Sequence, residues 1–404
     1  MIRLSRTRAL SVIVPEILKL RGEKPDDAPV RVAIVGASAS GKGHLIQELV
    51  EHLLDVTGRK TSVGILALDN YYRGRKEMAA RRVPHFDHPD AVELSLAGKH
   101  LSEMRVGQRL SIPCYDFPRG ERVGLESFTV RPIVLIDGLF GLAEEIRQHV
   151  DYGVYIDTDV HSAMLRRLFR DAGPNGRTKQ SSSAVLAQYF REVVPSMHAF
   201  IAPTAAHADV LVESRYDAAV EAAHAGAFQA QCKARGHVDD DGFLVLAGAQ
   251  RLGGASRQID TFLVPKSRAV KGEMLRVREE NGAKFLTYKG PLIEGVPGIA
   301  ARNVTLPIEI DDETHRRLRD DYEIVCGFAK LRTLFHAGSL VIARDSINPL
   351  GNFIEVRVPD EHGAPQAHET LKRLGLREPY ITESYFDLWQ KAVSDGLKAH
   401  QPGA

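Results

Sequence analysis

A glycine-rich loop between an apolar run and an amphipathic segment constrains the fold of this chain more than any other feature. The stretch, residues 30–50, reads VRVAIVGASASGKGHLIQELV. Its start predicts a buried strand and its end a helix. Between them Gly36, four further residues, Gly41 and Lys42 match the loop that cradles phosphates on backbone N–H groups at a helix N-terminus. The last position of that pattern, a Ser or Thr whose hydroxyl binds Mg²⁺, is Gly43 here. The candidate phosphate-binding residues are Gly36, Ala37, Ser38, Ala39, Ser40, Gly41, Lys42, Gly43 and His44.

Bulk composition restricts the partners and the location of the protein. A chain of 404 residues is long for one core, so two domains are expected. The net charge of +1 creates no global field that would attract nucleic acid or an anionic membrane. Three cysteines lie far apart without metal-ligand spacing, as is typical of a reducing compartment. The apolar run near the start is interrupted by Pro15 and Glu16, and no segment is long enough to span a bilayer, so we expect a cytoplasmic protein.

The pattern of apolar residues changes near residue 235. Before that point, runs such as RPIVLIDG and YGVYIDTD alternate with amphipathic stretches, which predicts a parallel sheet with helices on both faces. After it, short alternating runs separated by turn signals predict an antiparallel sandwich or barrel. We therefore predict an α/β domain of the P-loop type followed by an antiparallel β-barrel domain. The predicted division is an N-terminal extension over 1–30, a P-loop domain over 31–215, a helical linker over 216–239 and a barrel domain over 240–397.

Ordered motifs follow the phosphate-binding loop, namely LALDNYYRG, HFDHPDAVEL, IPCYDFPRGER, VLIDGLFGL and YIDTDVHSAMLRRLFRD. In this order they resemble the uridine kinase and phosphoribulokinase family of P-loop kinases. The resemblance implies ATP as phosphate donor, Mg²⁺ as cofactor and a small-molecule hydroxyl as acceptor. Asp69 matches the catalytic aspartate that accepts the proton of that hydroxyl, and Lys42 supplies a cation to the phosphates. Asp137 stands where the family carries a Glu near Mg²⁺, so Asp69 and Asp137 are the candidate metal residues.

The resemblance also implies an acceptor pocket. Asp87 matches the aspartate that holds ribose hydroxyls, and Tyr115 and Phe117 match the aromatic walls of the pyrimidine pocket. The family carries a His three residues after that aromatic pair to read the base edge, whereas this chain has Gly120. A lost hydrogen-bonding group lowers discrimination by about 2 kcal/mol. The identity of the acceptor therefore stays open.

Arginines near the end of the last motif complete the resemblance. Those that match the family's lid, and that we count with the catalytic residues, are Arg166, Arg170 and Arg177. For the neighbouring Arg167 we expect a solvent-exposed position. At Gly43 we expect a water to replace the missing hydroxyl, because Mg²⁺ keeps several waters and takes only one or two protein ligands besides phosphate oxygens. Triphosphate binding should survive this change, with weaker positioning of the metal.

Charged side chains recur at alternate positions in the second half. In a strand such residues share one face, and in a closed barrel that face is the interior. An interior rich in Arg and Lys holds an anion or water, because unpaired buried charges are costly. The candidate phosphate-binding residues are Arg276, Arg278, Lys289, Lys330 and Arg332, and the candidate acidic residues are Glu273, Glu309 and Glu355. An open sheet with these charges in solvent is the alternative.

The runs IDTFLV, GEMLRVRE, FLTYKGP, FAKLRTLF, RDSINPLGNFIEV and YITESYFDLW resemble the CYTH family of triphosphate tunnel enzymes. The resemblance implies an eight-stranded tunnel that binds a triphosphate with basic side chains and a divalent metal with glutamates. Two departures stand out. The first is at the opening strand, because the stretch GFLVLAGAQRLGG, near the expected place of the ExExK pattern, contains no acidic residue. The second is at the closing ExE pair, which reads Glu355-Val356-Arg357. Divalent metal binding in the tunnel should therefore be weak.

Three functions fit these patterns. The first is an ATP-dependent kinase that phosphorylates a nucleoside-like or sugar-like hydroxyl, with the barrel binding polyphosphate or triphosphate as a regulator. The second is a diphosphate or polyphosphate phosphohydrolase, and the third is a non-catalytic sensor of nucleotides and phosphates. We favour the first because the charged residues that phosphoryl transfer needs are present. The acceptor and the oligomeric state, including a homo-oligomer, stay open.

Overall fold

The computed structural model describes residues 2–58, 62–172, 176–217, 227–267, 272–293, 298–304, 307–360 and 362–394. The chain divides into two compact units, one formed by Met1–Gln180 and Gln188–Tyr216 and the other by Ser181–Ala187 and Asp217–Ala404. None of the described helices is long and apolar enough to cross a membrane.

The first unit is built on a six-stranded parallel sheet. Its strands are β1 (Ile2–Ser5), β2 (Val30–Gly36), β3 (Val63–Ala67), β6 (Ile133–Asp137), β7 (Tyr152–Asp157) and β8 (Val210–Glu213), and β4 (Arg109–Asp116) and β5 (Glu121–Thr129) form a separate hairpin. The order across the sheet is β1-β8-β7-β2-β6-β3. The helices are α1 (Arg6–Glu23), α2 (Lys42–Thr57), α3 (Arg75–Ala80), α4 (Leu94–Glu103), α5 (Glu144–Arg147) and α6 (Val160–Asp171). Helix α7 (Ser182–Gln188), most of which is assigned to the second unit, continues as helical turns to residue 201.

Strand β2 lies in the middle of the sheet and separates two apolar cores. Val35 belongs to the core on one face, and Ile34 belongs to the core on the other. In that second core, Ile13 of α1 and Leu49 of α2 are fully buried. The sheet is thus covered on both faces, and the predicted α/β fold is confirmed.

Residues 1–30, predicted to be an extension, form part of this unit. Strand β1 adds to the edge of the sheet beside β8, with Ile2 opposite Val210 in parallel register. Helix α1 buries Ala9 and Ile17 completely. The chain before the phosphate-binding loop therefore contributes a strand and a helix to the fold.

The second unit is an antiparallel barrel. Its strands are β9 (Ala227–Arg235), β10 (Gln250–Pro265), β11 (Met274–Glu280), β12 (Ala283–Leu292), β13 (Ala300–Val304), β14 (Ile308–Ile310), β15 (Tyr322–Ala337), β16 (Leu340–Ile347) and β17 (Gly351–Val358). The order is β11-β10-β15-β16-β17-β9-β13-β12, and pairing of β12 with β11 closes eight strands while β14 lies along β12. The barrel prediction is confirmed, and the open-sheet alternative is excluded.

Three helices accompany the barrel, namely α8 (Asp312–Asp321), α9 (Ala364–Arg373) and α10 (Tyr385–Ser394). Leu371 of α9 packs with Cys232 and Val356, which point outward from β9 and β17. Tyr385 of α10 packs with Phe262 and other apolar residues of the strands. Helix α10 and the apolar cluster that contains Phe262 therefore lie next to the charged interior of the barrel.

The predicted helical linker over residues 216–239 is wrong where the chain is described. Residues 227–235 form β9, which pairs with β13 through Ala230 opposite Ala301 and with β17 through Lys233 opposite Glu355. The Ala-rich composition favours a helix, but the free edges of two neighbouring strands supply hydrogen-bond partners that override this preference. Residues 218–226 lie outside the described residues.

Candidate functional site

The phosphate-binding loop connects β2 to α2, and its backbone conformation requires glycine. Gly41 has a φ of +96°, in the left-handed region. A Cβ on Gly36 would lie 2.8 Å from the carbonyl oxygen of Ile156, so this position also excludes a side chain. Lys42 begins α2, and its Nζ donates to the carbonyl oxygens of Gly36 and Ala37 at 2.8 and 2.9 Å. The hydroxyl of Ser40 is buried without a hydrogen-bond partner. The loop is therefore a compact cradle of the kind that fits a phosphate group.

Asp69 and Asp137 lie at the carboxyl ends of neighbouring strands. Asp137 is the last residue of β6, in register with Ala67 of β3, and Asp69 lies in the short helical turn that follows β3. Burial raises the pKa of Asp69 to about 6, with a further contribution from Asp137, while Lys42 and Arg177 oppose the shift. Burial also raises the pKa of Asp137, against the effect of Lys42. The two carboxylates and the Lys42 ammonium therefore share one small region beside the loop.

This donor set fits Mg²⁺ but not a metal held by protein alone. The described residues contain no group of three or more His, Cys, Asp or Glu side chains that could hold a metal. Mg²⁺ is commonly bound by one or two carboxylates together with phosphate oxygens and waters. Asp69 and Asp137 are the side chains that would hold it. Gly43 leaves room for a water, because nothing lies within 4 Å of the place where its Cβ would be.

Aromatic rings form a wall around the predicted acceptor residues. Tyr115, near the end of β4, lies 5.2 Å from Phe117 and 5.7 Å from Tyr72 between ring centroids. Phe86 packs on Tyr72 at 5.5 Å. The Tyr115 hydroxyl is buried without a hydrogen-bond partner. Tyr72 and Phe86 were not among the predicted site residues, although both lie inside motifs that the sequence analysis singled out.

Asp87 follows Phe86 directly and belongs to the same region. Burial raises the pKa of its carboxyl, while Arg167, His85 and Lys42 act in the opposite direction. The ring of Phe117, which is 46% exposed, has the Arg177 guanidinium 5.8 Å from its centroid. The aromatic wall, Asp87 and Arg177 therefore lie close together, next to the two metal-binding candidates.

Gly120 stands where the family carries a histidine, and its surroundings leave no space for a side chain. Its φ is +66°, and a Cβ at this position would lie 2.3 Å from Nε of Arg75. The backbone N–H of Arg75 also donates to the carbonyl oxygen of Gly120 at 3.0 Å. The space beside the β4–β5 turn is thus taken by the Arg75 side chain.

Two of the predicted lid arginines have partners within the described residues. Arg166 donates to the Ser214 hydroxyl at 3.0 Å and to the Arg215 carbonyl oxygen at 2.6 Å. Arg170 donates two hydrogen bonds to Asp171, at 2.7 and 2.8 Å. Both side chains lie on α6, which follows β7 at the same edge of the sheet as the loop.

The prediction that Arg167 faces solvent is wrong. Arg167 is only 8% exposed and donates to the Ser38 hydroxyl of the phosphate-binding loop at 2.8 Å and to Gln188 at 3.1 Å. Its Nε lies 3.7 Å from the carboxylate of Asp171, one helical turn further on. The sequence carried a signal for this position, because an Arg and an Asp four residues apart share one helix face.

The barrel interior is lined by charge, as the alternating pattern predicted. Among the described residues, cationic side chains, here called the interior cations, outnumber the carboxylates. The interior cations are Lys233, Arg276, Arg278, Lys289, Lys330, Arg332 and Arg357, and the interior carboxylates are Asp260, Glu280, Asp345 and Glu355. The sequence analysis did not identify five of these lining residues, namely Lys233, Arg357, Asp260, Glu280 and Asp345. The alternation in IDTFLV and RDSINPL was the signal that could have identified the two aspartates.

Two of the three predicted acidic residues do not neutralise the interior cations. Glu309 is exposed on β14, and Glu273 is half-buried and accepts a hydrogen bond from the Tyr288 hydroxyl at 3.1 Å. Only Glu355 lies inside, where Arg332 and Arg357 each donate to it at 3.1 Å. Asp260 is the main counter-charge elsewhere, because Arg278 donates to both of its oxygens at 2.7 and 2.9 Å.

The sequence analysis predicted that the opening strand of the tunnel is absent. The structure contains this strand, but it lies earlier in the chain than expected. It is β9, which reads Gln229-Ala230-Gln231-Cys232-Lys233 where the family pattern is ExExK. The lysine of the pattern is kept, and both acidic positions carry glutamine. Residues 241–245, near the expected place of the strand, form a short helical turn.

Comparisons with known proteins agree with this two-part organisation. Residues 31–221 match the model of the Phosphoribulokinase / Uridine kinase family, and residues 239–385 match that of the CYTH domain. A uridine kinase from Shewanella frigidimarina is 34% identical over 188 residues, which cover 45% of this chain and 86% of that protein. A uridine-cytidine kinase C from Dictyostelium discoideum is 26% identical over 405 residues, or 97% of this chain and 85% of that protein. A solved structure from Pyrococcus horikoshii, 26% identical with a TM-score of 0.34, covers 40% of this chain and 98% of its own.

Proposed function

The chain belongs to the phosphoribulokinase and uridine kinase family, and we propose that its first unit transfers the γ-phosphate of ATP to a hydroxyl of a nucleoside-like or sugar-like acceptor. The observation that carries this proposal is the juxtaposition of Asp69, Asp137 and Lys42 beside the phosphate-binding loop. Phosphoryl transfer needs positioning and charge stabilisation around the γ-phosphate, and a carboxylate to accept the hydroxyl proton.

Each residue of the site has a role that follows from its chemistry. The loop N–H groups and the Lys42 ammonium bind the phosphates of ATP, and Arg170 and Arg177 add cationic charge near the transferred group. Asp69 accepts the proton of the acceptor hydroxyl, and the tendency of burial to raise its pKa makes it a stronger base than an exposed aspartate. Mg²⁺, when bound, neutralises charge on the phosphate oxygens, and Asp69 and Asp137 are the side chains that would hold it.

The acceptor binds against the aromatic wall in this proposal. Tyr72, Tyr115 and Phe117 offer ring faces to a base or a sugar, and the unpaired Tyr115 hydroxyl offers one hydrogen bond. Asp87 accepts hydrogen bonds from acceptor hydroxyls. Since Gly120 cannot read a base edge, we propose a hydroxylated acceptor without fixing its base.

The test is ADP formation with ATP, Mg²⁺ and a panel of acceptors that includes uridine, cytidine and other nucleosides and sugars. At least one acceptor should raise ADP formation above the rate with ATP alone. Asp69→Asn should then lower the acceptor-dependent rate by about 10² or more. The matched control is Asp55→Asn, an exposed position on α2, which should leave the rate unchanged. If no acceptor stimulates ADP formation in the unaltered chain, the kinase proposal fails.

For the second unit, we propose a binding role for a polyphosphate or triphosphate anion. The excess of interior cations over interior carboxylates supports this role, because buried unpaired cations are unfavourable without a counter-charge. In particular, Lys289 has no ion-pair partner among the described residues, and burial together with Arg276 lowers its pKa strongly. Calorimetric titration with tripolyphosphate tests the role, and Lys289→Ala should weaken the binding. Release of phosphate that is lost in Lys289→Ala would instead favour a phosphohydrolase.

A further inference from the structure

Three of the interior carboxylates, Asp260, Asp345 and Glu355, are paired with arginine or lysine side chains, whereas Glu280 accepts from Ser256 and Gln258. Asp260 binds Arg278 through two hydrogen bonds and has Nζ of Lys330 at 3.1 Å. Arg332 makes a two-pronged contact with Asp345. These cations hold the pKa of Asp260 well below its usual range despite burial. Asp260 and Asp345 therefore order the surrounding guanidinium groups, and both oxygens of each carboxylate are already used.

Of the positions that match the glutamates of the family's metal site, Glu355 keeps a carboxylate, whereas Gln229, Gln231 and Arg357 do not. Gln231 of β9 and Arg357 of β17 are direct partners in the antiparallel register of the two strands, so both side chains face the interior. Arg357 donates to Glu355 at 3.1 Å, which covers that carboxylate with a positive charge. Throughout the described ranges, no three His, Cys, Asp or Glu side chains come together as a metal site. A divalent cation would meet amides and guanidinium groups here, and the residues do not fit it.

Two cationic side chains of the interior have donors without an acceptor, and the buried amide oxygens of Gln231 and Gln258 also have no hydrogen-bond partner. Nε of Arg276 is buried without a hydrogen-bond partner, although Nη2 of the same side chain donates to the Thr287 hydroxyl at 3.3 Å. Lys289 has neither a hydrogen bond nor an ion pair to any described residue, and the charged groups near it are the cations Arg276, Arg357 and Lys330 and the carboxylate of Glu355. Buried donors of this kind are costly unless an anion completes them.

The spacing of the interior cations suits an anion with charges in a row. Arg276 and Arg278 on β11, like Lys330 and Arg332 on β15, are two residues apart, so each pair places charge at two levels about 7 Å apart along its strand. A chain of linked phosphate groups presents oxygens at successive levels in the same way. Guanidinium groups match such oxygens with two parallel hydrogen bonds.

We infer that the tunnel binds a condensed phosphate chain with guanidinium and ammonium groups alone, without a divalent metal. The inference rests on the binding role proposed above for the second unit and specifies its chemistry. The interior cations take the place that a metal and its glutamates would fill, and the interior carboxylates hold these cations in position. Without a metal there is no ion to polarise a phosphate oxygen or to generate a nucleophilic hydroxide, so the tunnel retains its ligand intact.

The test is calorimetric titration of the full chain carrying Lys42→Ala with tripolyphosphate, in EDTA and in Mg²⁺. The Lys42 substitution removes the contribution of the phosphate-binding loop in the first unit. Binding in EDTA should be as tight as in Mg²⁺, or tighter. If Mg²⁺ tightens binding about tenfold or more, the inference is overturned while the binding role stands. If no binding occurs in either buffer, the binding role itself fails, and the inference fails with it. Neither result depends on the kinase assay.

Two substitutions localise the bound anion. Arg276→Ala, added to the same chain, should weaken binding in EDTA by about tenfold or more, because Arg276 has an unpaired donor in the interior. Arg257→Ala is the matched control, since Arg257 is exposed on the outer face of β10, and it should leave the affinity unchanged. Equal losses in both variants would show general electrostatic attraction and would contradict a built site.

Discussion

Arg332 and Asp345 form a two-pronged ion pair inside the barrel, with Nε–Oδ1 and Nη2–Oδ2 distances of 2.6 and 2.5 Å. The side chains are 4% and 0% exposed, and they lie directly opposite each other on β15 and β16. The Tyr385 hydroxyl donates to the same carboxylate at 2.7 Å, which joins α10 to the strands. The pair therefore links the charged interior to the apolar cluster under α10.

Asp345→Asn should destabilise the second unit by about 3 kcal/mol, because it removes the main counter-charge of a buried guanidinium. Urea unfolding followed by fluorescence measures this, since Trp389 of α10 is the only tryptophan of the chain. Glu313→Gln, which removes a carboxylate from a surface pair with Arg317 one turn along α8, should leave the transition nearly unchanged. A transition of unaltered midpoint in Asp345→Asn would contradict a structural role for the pair.

Much of this architecture could be predicted from the sequence because it depends on local periodicity. The alternation of Arg276 and Arg278 placed both side chains on one face, and closure of the sheet made that face the interior. The carboxyl ends of parallel strands meet at one edge, which is why Asp69 and Asp137 were expected together. These arguments need only the identity of neighbouring residues.

The features that sequence reasoning missed depend on partners far along the chain. Residues 227–235 were interpreted as helix from their alanines, whereas pairing with β13 and β17 decides their conformation. Arg167 was assigned to solvent because the neighbouring Arg166 already matches the family position, and its partner Ser38 lies 129 residues earlier. Glu309 was assigned to the interior from its residue type alone, and β14 turns it outward.

Anion binding by the tunnel should weaken as pH rises from about 6 to about 8. Burial and Arg332 lower the pKa of Lys330 to about 7, while Asp260 opposes the shift, so this ammonium loses its proton within that window. Arg278, Lys289, Asp345, Glu280 and Glu355 also act on Lys330 or lie beside it. Loss of one positive charge should lower the affinity for tripolyphosphate by about tenfold. This loss corresponds to the same free energy as a shift of one pKa unit.

Calorimetric titration at several pH values measures this effect, and Lys330→Arg provides the comparison. Arginine keeps its charge over the whole range, so this variant should lose most of the decline with pH. What remains reports the ionisation of the phosphate ligand and of other interior groups such as Lys289, whose pKa burial also lowers. An identical pH dependence in both proteins would exclude Lys330 as the titrating group.

Gln231→Glu combined with Arg357→Glu should convert the tunnel into a metal-dependent site. The two positions are register partners, and together with Glu355 they would present three carboxylates on adjacent strands. Oxygen ligands of this kind suit Mg²⁺ or Ca²⁺. Affinity for tripolyphosphate should then fall in EDTA and recover in Mg²⁺, as measured by titration in the Lys42→Ala chain. Gln231→Asn with Arg357→Gln, which removes the positive charge without adding carboxylates, should show no recovery.

Gly43→Ser should lower the Mg²⁺ concentration needed for half-maximal acceptor-dependent ADP formation by about tenfold, the usual effect of one added group at a metal site. The position has room for the side chain, because nothing lies within 4 Å of a Cβ there, and it follows Lys42 in the first turn of α2. Gly43→Ala is the matched control, since it adds the Cβ and the helix preference of a side chain but no hydroxyl. Measuring the rate at increasing Mg²⁺ concentrations and fixed ATP distinguishes the effect of the hydroxyl in Gly43→Ser from that of the Cβ in Gly43→Ala. An equal shift in both variants would assign the effect to the backbone of α2, and no shift in Gly43→Ser would mean that a water already serves in place of the hydroxyl.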